Sequence, residues 1–474
     1  MRAVRLSALL ALACAALQGC GAASDDPGAP PEQPLVQPAQ PPVRGEVHVA
    51  FVQGDRPVTR VQWGEAFAVR VDGLLPGEEV MLRSSSKLAD GNYRAEAVFV
   101  ADAAGRVDTA ASAPSRGSYA EADADGLVWS MAATKKAIPP ADQYALHVEV
   151  VAADDSELAG ASLPRWYVAP GITRVPVSEG GLVGAYYAMP GATKLPVIVV
   201  FGGSEGGLDS GESAAMYWAS RGYAALGLAY FAETGLPKYL TEVPLEYFEK
   251  AFAWIDQRPE VDASKLAVMG GSRGGELALL LGATFPRVRA VIAEVPSGVS
   301  WGAFLTRTTE TASWTYAGEK MAFVPHSNAL PGEWTTPSGE TAAAETPVFL
   351  DALAKASPAV LEAASFRVEK TNGPILMLAG GDDQLWPSCA LAKIAMDRLV
   401  ANGHDKRFAD ESVCFADAGH GATSIPGVPT SLSTAVVHPI SGDFLALGGT
   451  PKGIARAQRA SFTRIDAFLA SALK

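Results

Sequence analysis

The sequence GGSRG at residues 270–274 constrains the fold more than any other segment. An apolar run, LAVM at 266–269, precedes it and a helical pattern, ELALLLG, follows it. The segment therefore predicts a strand, a sharp turn and a helix, with Ser272 at the apex. Glycines are needed on both sides because the turn is strained and larger side chains would crowd an incoming carbonyl group.

Two candidate partners follow the serine along the chain. The run GPILMLAG leads to the adjacent residues Asp382 and Asp383, and the run SVCFADAG leads to His420. The order serine, acid, histidine after successive strands is that of an α/β-hydrolase. A serine hydroxyl is a weak nucleophile until an imidazole accepts its proton and a carboxylate orients that imidazole, so we predict a triad of Ser272, Asp383 and His420. Asp382 and Glu294, which ends the run VRAVIAE, stay open as alternative acids.

The other histidines are weaker candidates for the base. They lie in the N-terminal region, in an irregular tryptophan-rich segment and late in the chain: His48, His147, His326, His404 and His438. His404 is expected near a helix end, where a cation interacts with the last carbonyl groups, and His438 stays as a weak competitor. His420 is preferred because glycines flank it just after a predicted strand.

The oxyanion hole is expected in the segment LPVIVVFGGSEGG at 195–207. Its β-branched run predicts a buried strand that opens into a glycine-rich loop, where backbone amides can face a substrate oxygen. The expected donors are the backbone N–H groups of Gly203 and Arg273. A phosphate-binding loop fits less well, because no GxGxxG directly follows the strand and no Walker lysine is present.

The spacing of apolar runs predicts two folded regions. A chain of 474 residues with 48% hydrophobic content is long enough for two cored domains. Alternating runs such as FAVRV and YALHVEVV predict a small β-sandwich over residues 46–172. Over 173–474, strand-like runs alternate with helical stretches, which predicts a mostly parallel sheet with helices on both faces. An insertion near 299–350 with three tryptophans is expected to form a lid or pocket wall, unless the tryptophans simply pack it onto the core.

Several longer stretches carry a family resemblance. They include RGYAALGLAYF, VPLEYFEKAFAWI, GGSRGGELALLLG and GGDDQLWPS in the C-terminal part, and GSYAEADADGLVWSM in the N-terminal part. Over most of the mature chain the sequence resembles the family of acyl-CoA thioesterases and bile acid-CoA:amino acid N-acyltransferases. The resemblance implies a serine hydrolase acting on acyl thioesters, with the triad on Ser272, Asp383 and His420. Because DQLWP resembles the acid loop of many α/β-hydrolases, it also favours Asp383 over Asp382.

The nucleophile type separates two reactions within that family. A cysteine nucleophile gives an acyl thioester that amines attack readily, whereas a serine gives an oxyester that suits hydrolysis. We therefore expect a hydrolase, with an acyltransferase to an amine or alcohol as one alternative and a catalytically silent envelope binding protein as another. Neither a cofactor nor a metal is expected.

The charge balance bears on the substrate. A formal net charge of −13 weighs against a nucleic acid partner, which requires clustered basic side chains. A polyanionic substrate such as a coenzyme A ester would need a local basic patch. Arg273 is the cation beside the nucleophile, unless it serves only to pair with Glu276.

The N-terminus predicts export. Residues 1–19 combine a basic start with an apolar run too short to span a bilayer, and LQGC ends at Cys20, which is typical of a bacterial secretory signal with a lipoprotein box. Cys20 is the expected lipidation site, and the proline-rich residues 20–45 are the expected tether. Acyl chains would anchor the protein to an envelope membrane, facing the periplasm or the cell surface; an ordinary cleaved signal is the alternative.

Export bears on both the cysteines and the substrate. Cys389 lies just after the acid loop and Cys414 just before the His420 loop, so we expect a disulfide, with two buried free thiols as the alternative. Coenzyme A esters are cytosolic, and an exported protein would rarely meet them. We therefore expect a lipid-type or other acyl ester, thioester or amide from the envelope or the medium.

Overall fold

The computed structural model describes residues 43–139, 142, 144–303 and 311–473. The predicted signal, Cys20 and the tether up to residue 42 lie outside these ranges. Within them, no helix combines the length and apolar character that crossing a bilayer requires.

Twelve strands and one short helix make up the described N-terminal region. In chain order they are β1 (His48–Gln53), β2 (Arg56–Val58), β3 (Val61–Gln62), β4 (Ala68–Asp72), β5 (Glu79–Leu88), β6 (Gly91–Val100), β7 (Val107–Asp108), β8 (Arg116–Gly117), β9 (Ala132–Thr134), β10 (Leu146–Val151), β11 (Glu157–Leu163) and β12 (Arg165–Trp166), with a short helix α1 (Gly126–Trp129).

Two antiparallel sheets form the predicted β-sandwich. One has the order β2-β1-β4-β7, and the other has the order β11-β10-β5-β6-β8 with β9 also paired to β6. Alternate residues of β10 point inward, as the sequence YALHVEVV predicts. Phe51 and Val71 of the first sheet share one buried cluster with Leu82, Phe99 and Val148 of the second, so the core lies between the two sheets.

The remaining strands and helices follow from residue 175 onward. The strands are β13 (Val175–Val177), β14 (Val183–Tyr187), β15 (Leu195–Phe201), β16 (Ala224–Ala229), β17 (Val243–Pro244), β18 (Val261–Gly271), β19 (Val288–Glu294), β20 (Trp314–Tyr316), β21 (Glu319–Lys320), β22 (Gly332–Thr335), β23 (Thr341–Ala344), β24 (Ile375–Gly380), β25 (Glu411–Phe415), β26 (Ala435–Val437) and β27 (Phe444–Ala446). The helices are α2 (Asp209–Ala219), α3 (Glu246–Ile255), α4 (Arg273–Thr284), α5 (Thr346–Lys355), α6 (Pro358–Ala364), α7 (Ser388–Ala401) and α8 (Pro451–Ala472).

An eight-stranded sheet organises this second region, in the order β13-β14-β16-β15-β18-β19-β24-β25. Six neighbouring strands of this sheet are parallel, in the order β16-β15-β18-β19-β24-β25. At one edge, β14 pairs antiparallel with β16, and β13 pairs antiparallel with β14. Helices α3, α4 and α7 cover one face, and α2 and α8 cover the other. The run Val197, Ile198, Val199, Val200 is buried throughout because both faces of β15 are covered. The predicted α/β-hydrolase fold is therefore confirmed.

The insertion lies between β19 and β24 and contains β20 to β23 with α5 and α6. Trp301 is 1% exposed and Trp314 is fully buried. Trp314 belongs to the main core cluster, and Trp301 packs with Trp386 and Leu391. These two tryptophans therefore pack the insertion onto the core. The third, Trp334, lies half-buried on β22, which belongs to a separate sheet of order β22-β23-β27-β26.

Candidate active site

Ser272 occupies a strained turn between β18 and α4. Its φ of 58° and ψ of −121° place it in a region that non-glycine residues rarely adopt. The turn is held by a 2.9 Å bond from the Ser272 N–H to the Glu294 carbonyl. A Cβ on Gly270 would lie 2.5 Å from the Gly274 carbonyl oxygen, and one on Gly274 would lie 2.4 Å from the Gly202 carbonyl oxygen. Close backbone approach thus explains the two glycines that the sequence places around the serine.

Asp383 and His420 are brought together from the loops that follow β24 and β25. Asp383 Oδ2 lies 2.8 Å from His420 Nδ1. Asp383 is 4% exposed, and its Oδ1 accepts the N–H groups of Leu385 at 3.0 Å and Trp386 at 3.2 Å. Three donors therefore fix this carboxylate, and the imidazole is oriented through its Nδ1 nitrogen.

The second ring nitrogen of His420, Nε2, determines whether this ring can accept a proton. Since Nδ1 faces a carboxylate, Nδ1 carries the proton and Nε2 of a neutral ring is left as an acceptor. Nε2 is buried and has no hydrogen-bond partner among the described residues. The structure therefore does not join Ser272 Oγ to His420 by a hydrogen bond. Catalytic hydrogen bonds of a free enzyme are often long and tighten only when substrate is bound.

The two alternative acids have other surroundings. Asp382 Oδ1 accepts the side-chain amide of Gln384 at 2.6 Å, and its Oδ2 accepts the Gly449 N–H at 3.0 Å, so Asp382 holds the loop together. Glu294 ends β19 beside the nucleophile, and burial raises its pKa to about 8. Neither carboxylate is bonded to His420 in the described structure, where Asp383 is the carboxylate at Nδ1.

The predicted oxyanion donors lie on either side of Ser272. The Arg273 N–H is the first of α4, and the first amides of a helix have no partner inside it. Gly203 is next to the nucleophile, because a Cβ on Gly203 would lie 3.1 Å from Ser272 Cβ. The Gly203 N–H, however, donates to Glu205 Oε1 at 2.9 Å. This internal acceptor for the Gly203 amide was not predicted, although Glu205 is only two residues away.

The Arg273 side chain points into the protein. It is 5% exposed, and its Nη1 lies 2.8 Å from Glu276 Oε2. Its Nη2 also bonds to Ser313 Oγ. The Trp314 indole donates to Glu276 Oε1 at 2.8 Å, and burial raises the pKa of Glu276 to about 7 in spite of the opposing Arg273 charge. Arg273 thus pairs with Glu276, which was the second of the two roles considered from the sequence.

Trp386 packs beside Asp383 and His420, which the sequence motif alone did not indicate. Its indole N–H donates to the Val295 carbonyl at 2.9 Å, and its ring lies 6.1 Å from the His420 ring in an edge-on arrangement. The Thr346 hydroxyl donates to the Asp383 carbonyl at 2.7 Å. The insertion and the acid loop therefore hold each other in place.

Two other histidines have structural partners. His404 is fully buried, with Nδ1 2.6 Å from Asp410 Oδ2 and Nε2 2.9 Å from the Thr371 carbonyl oxygen. It follows α7 as expected, but both ring nitrogens bind within the fold. His438 lies 3.3 Å from Ser204 Oγ, next to the glycine-rich loop.

Cys389 and Cys414 form a disulfide, with a Cα–Cα distance of 5.5 Å. Cys389 is the second residue of α7, which follows the Asp383 loop, and Cys414 lies in β25, which precedes the His420 loop. The bridge therefore joins the helix that follows the Asp383 loop to the strand that precedes the His420 loop.

Two family models match the chain. Residues 64–179 match the acyl-CoA thioester hydrolase/BAAT N-terminal region, and residues 243–474 match the BAAT/acyl-CoA thioester hydrolase C-terminal domain. The second match contains Ser272, Asp383 and His420.

Named relatives align over most of both chains. Acyl-coenzyme A thioesterase 6 of Mus musculus is 31% identical over 433 residues, covering 87% of this chain and 94% of its own. The Homo sapiens protein of the same name is 29% identical over 422 residues, with 87% and 94% covered. Acyl-coenzyme A thioesterase 1 of Rattus norvegicus is 29% identical over 423 residues, again with 87% and 94% covered.

Solved structures are more distant. MGS-M1, an α/β-hydrolase from a Medee basin deep-sea metagenome library, is 16% identical, with 64% of this chain and 98% of its own covered and a TM-score of 0.38. An esterase of Pyrobaculum calidifontis is 15% identical, with 64% and 86% covered and a TM-score of 0.36.

Proposed function

The chain belongs to the BAAT/acyl-CoA thioester hydrolase family, and from this membership we propose that it cleaves acyl thioesters and esters with Ser272, His420 and Asp383 as its triad. It is a thioester or ester hydrolase on an α/β-hydrolase fold. The observation that supports the triad best is the His420 ring, whose Nδ1 is held by Asp383 while the buried Nε2 has no partner in the described structure. A general base for a serine hydroxyl needs such a nitrogen.

In the acylation step Ser272 Oγ attacks the substrate carbonyl carbon while His420 Nε2 takes the hydroxyl proton. The carbonyl oxygen becomes an oxyanion, which the Arg273 and Gly203 N–H groups stabilise. One such donor contributes on the order of 10²-fold to 10³-fold in rate. The carbon–sulfur or carbon–oxygen bond then breaks, and His420 returns the proton to the leaving thiol or alcohol.

In the second step water releases the acyl group. His420 Nε2 takes a proton from the water, the oxygen attacks the acyl carbonyl, and Ser272 regains its proton as the acid leaves. Asp383 stabilises the imidazolium that forms in both steps. An oxyester on Ser272 matches hydrolysis better than transfer to an amine.

The relatives are named as acyl-coenzyme A thioesterases, so we propose acyl thioesters as the substrate class, with oxygen esters sharing the same chemistry. The Arg273 guanidinium is engaged by Glu276 and Ser313, and its role is therefore structural rather than phosphate-binding. If the protein is exported, an acyl ester, thioester or amide of the envelope or medium becomes the substrate.

A fluorophosphonate probe tests the mechanism directly. We expect it to label Ser272 in the wild type and to leave Ser272→Ala unlabelled. Ser264→Ala is the matched control, because Ser264 is exposed and lies in the same strand, β18, toward its other end. Hydrolysis of acyl-CoA and p-nitrophenyl esters of varied chain length then identifies the substrate, with glycine added as an acceptor to detect transfer. Full activity of Ser272→Ala would refute the mechanism.

For location we propose a lipid-anchored envelope protein with Cys20 as the modified residue. In a bacterial host, metabolic labelling with an alkyne fatty acid should mark the wild type and leave Cys20→Ser unmarked. The unmarked variant should also move from the membrane fraction to the soluble fraction. Equal fractionation of both proteins would refute the anchor and favour an ordinary cleaved signal.

A further inference from the structure

Glu205 lies in the glycine-rich loop between β15 and α2 and turns back toward the nucleophile. Its Oε1 accepts the Gly203 N–H at 2.9 Å. A Cβ on Gly203 would lie 2.9 Å from Glu205 Oε2 and 3.1 Å from Ser272 Cβ. The carboxylate and the nucleophile are therefore on the same side of Gly203.

The backbone around Glu205 is held from several directions. Gly206 and Gly207 have φ values of 66° and 72°, which let the loop reverse after Glu205. The Gly207 N–H donates to the Phe231 carbonyl at 3.1 Å, and the buried Tyr230 hydroxyl donates to the Gly202 carbonyl at 2.9 Å. Since the backbone is fixed, rotation of the Glu205 side chain is the simplest way to release the Gly203 amide.

His438 contacts Ser204, the residue that precedes Glu205. Its Nδ1 lies 3.4 Å from the Ile440 N–H and 3.3 Å from the Ser441 N–H, so Nδ1 accepts and the ring proton is on Nε2. Nε2 lies 3.3 Å from Ser204 Oγ and donates to it. This hydrogen bond holds the loop beside Glu205. Because His438 Nε2 is the donor in it, His438 does not act as a general base for Ser204.

We propose that Glu205 is a specificity-determining residue, which competes with the substrate oxygen for the Gly203 amide and excludes acyl groups that carry negative charge close to the reacting carbonyl. This inference rests on the proposed function, in which Gly203 is an oxyanion donor. A carboxylate accepts an amide hydrogen bond more strongly than a neutral carbonyl does. The substrate therefore reaches its transition state only after this bond is broken, and part of the oxyanion stabilisation is offset.

The expected discrimination against charged acyl groups follows from the short Glu205 side chain. After displacement the Glu205 carboxylate stays tethered beside the reacting carbonyl, where it repels a second carboxylate on the acyl group. Charges at the far end of a long leaving group are affected little, because salt screens exposed charges over about 8–10 Å. Neutral acyl groups are therefore favoured over dicarboxylic ones.

Two esters with the same number of acyl carbons measure both effects: p-nitrophenyl hexanoate and the mono-p-nitrophenyl ester of adipic acid. We expect Glu205→Gln and Glu205→Ala to raise kcat/KM for the hexanoate at least threefold. For the adipate ester we expect about tenfold or more, because repulsion is relieved as well as competition. The wild-type preference for hexanoate should shrink accordingly.

Glu233→Gln is the matched control. Its carboxylate lies beside the same loop, with Oε1 3.7 Å from the position of a Cβ on Gly207, whereas the Gly203 N–H donates to Glu205 in the described structure. This variant should keep both rates within twofold of the wild type. An equal rise in Glu233→Gln would mean that overall charge, not the Gly203 contact, is responsible, and would overturn the inference.

Wild-type rates and an unchanged hexanoate preference in both Glu205 variants would overturn the inference, as would slower hydrolysis of both esters. Thermal melts identify a misfolded alanine variant, in which case the nearly isosteric Glu205→Gln decides. Fluorophosphonate labelling of Ser272 in the wild type and in each variant distinguishes failure of the specificity role from failure of the proposed function. Labelling with no Glu205 effect refutes the specificity role alone, whereas no labelling of the wild type refutes the mechanism.

Discussion

Replacing Asp383 by Asn tests which carboxylate supports the base. The Asp383 Oδ1 already accepts two backbone N–H groups, so the Asn oxygen takes that place and its NH₂ faces His420 Nδ1. Nδ1 must then accept, and the ring proton moves to Nε2. A protonated Nε2 cannot take the proton of Ser272, although the shape of the site is unchanged.

The structure gives the size of the effect. The imidazolium formed in the transition state loses a negative partner at 2.8 Å. At an effective dielectric constant of about 20, a charge pair at that distance contributes about 6 kcal/mol. Since each 1.36 kcal/mol corresponds to a factor of about ten in rate, we expect kcat/KM to fall by about 10⁴-fold.

The assay is hydrolysis of a p-nitrophenyl acyl ester, with fluorophosphonate labelling as a second readout. Asp382→Asn is the matched control, because it changes the adjacent carboxylate, which binds Gln384 and Gly449 instead of the imidazole. We expect that control to retain activity within about tenfold, and both variants to melt near the wild-type temperature. If Asp383→Asn kept near-normal activity while Asp382→Asn lost it, the assignment of the acid would be wrong.

Three further predictions concern stability. Cys414→Ser should lower the free energy of unfolding by about 3.5 kcal/mol, as the chain-entropy model gives for a bridge between residues 25 apart; an unchanged urea midpoint would contradict it. The folded-state pKa of Glu294, about 8, lies above the unfolded value of about 4.3, so folded protein holds this proton more tightly and stability declines as the pH rises from about 4 to 8. Glu294→Gln should flatten that decline in melting temperature, and an identical pH profile would refute the shift. Glu276→Ala should destabilise by about 3–5 kcal/mol because it leaves Arg273 buried without its ion pair, whereas Glu121→Ala, in a surface ion pair with Lys452, should barely move the urea midpoint.

Local sequence was sufficient to predict those features of the candidate site that depend on backbone geometry. The sequence GGSRG predicts the turn because only glycine tolerates the close approaches at residues 270 and 274. The buried runs of β-branched residues predict parallel strands, and parallel strands place the loops that follow them at one edge of the sheet. The positions of Asp383 and His420 after their strands could therefore be predicted.

Contacts between side chains were less predictable. The pairing of Glu205 with the Gly203 amide depends on how the loop reverses and which rotamer fits against Ser272. His404 was expected at a helix end, yet its burial between Asp410 and the Thr371 carbonyl depends on segments that fold against it. Composition and periodicity do not predict such contacts. They predict the strand or the turn itself, and that element can form with many different side-chain partners.

The electrostatics near the nucleophile point away from recognition of a polyanionic leaving group. Drawing Arg273 toward a phosphate would leave Glu276 buried in the core without its cation, and the loss of one partner from a buried pair costs about 3–5 kcal/mol. Glu205 places a further negative charge beside Ser272. We therefore expect the substrate to be selected by its acyl group and reacting carbonyl, and the phosphates of a long charged leaving group to stay in solvent. This arrangement also suits a neutral acyl ester, which has no such charge to accommodate.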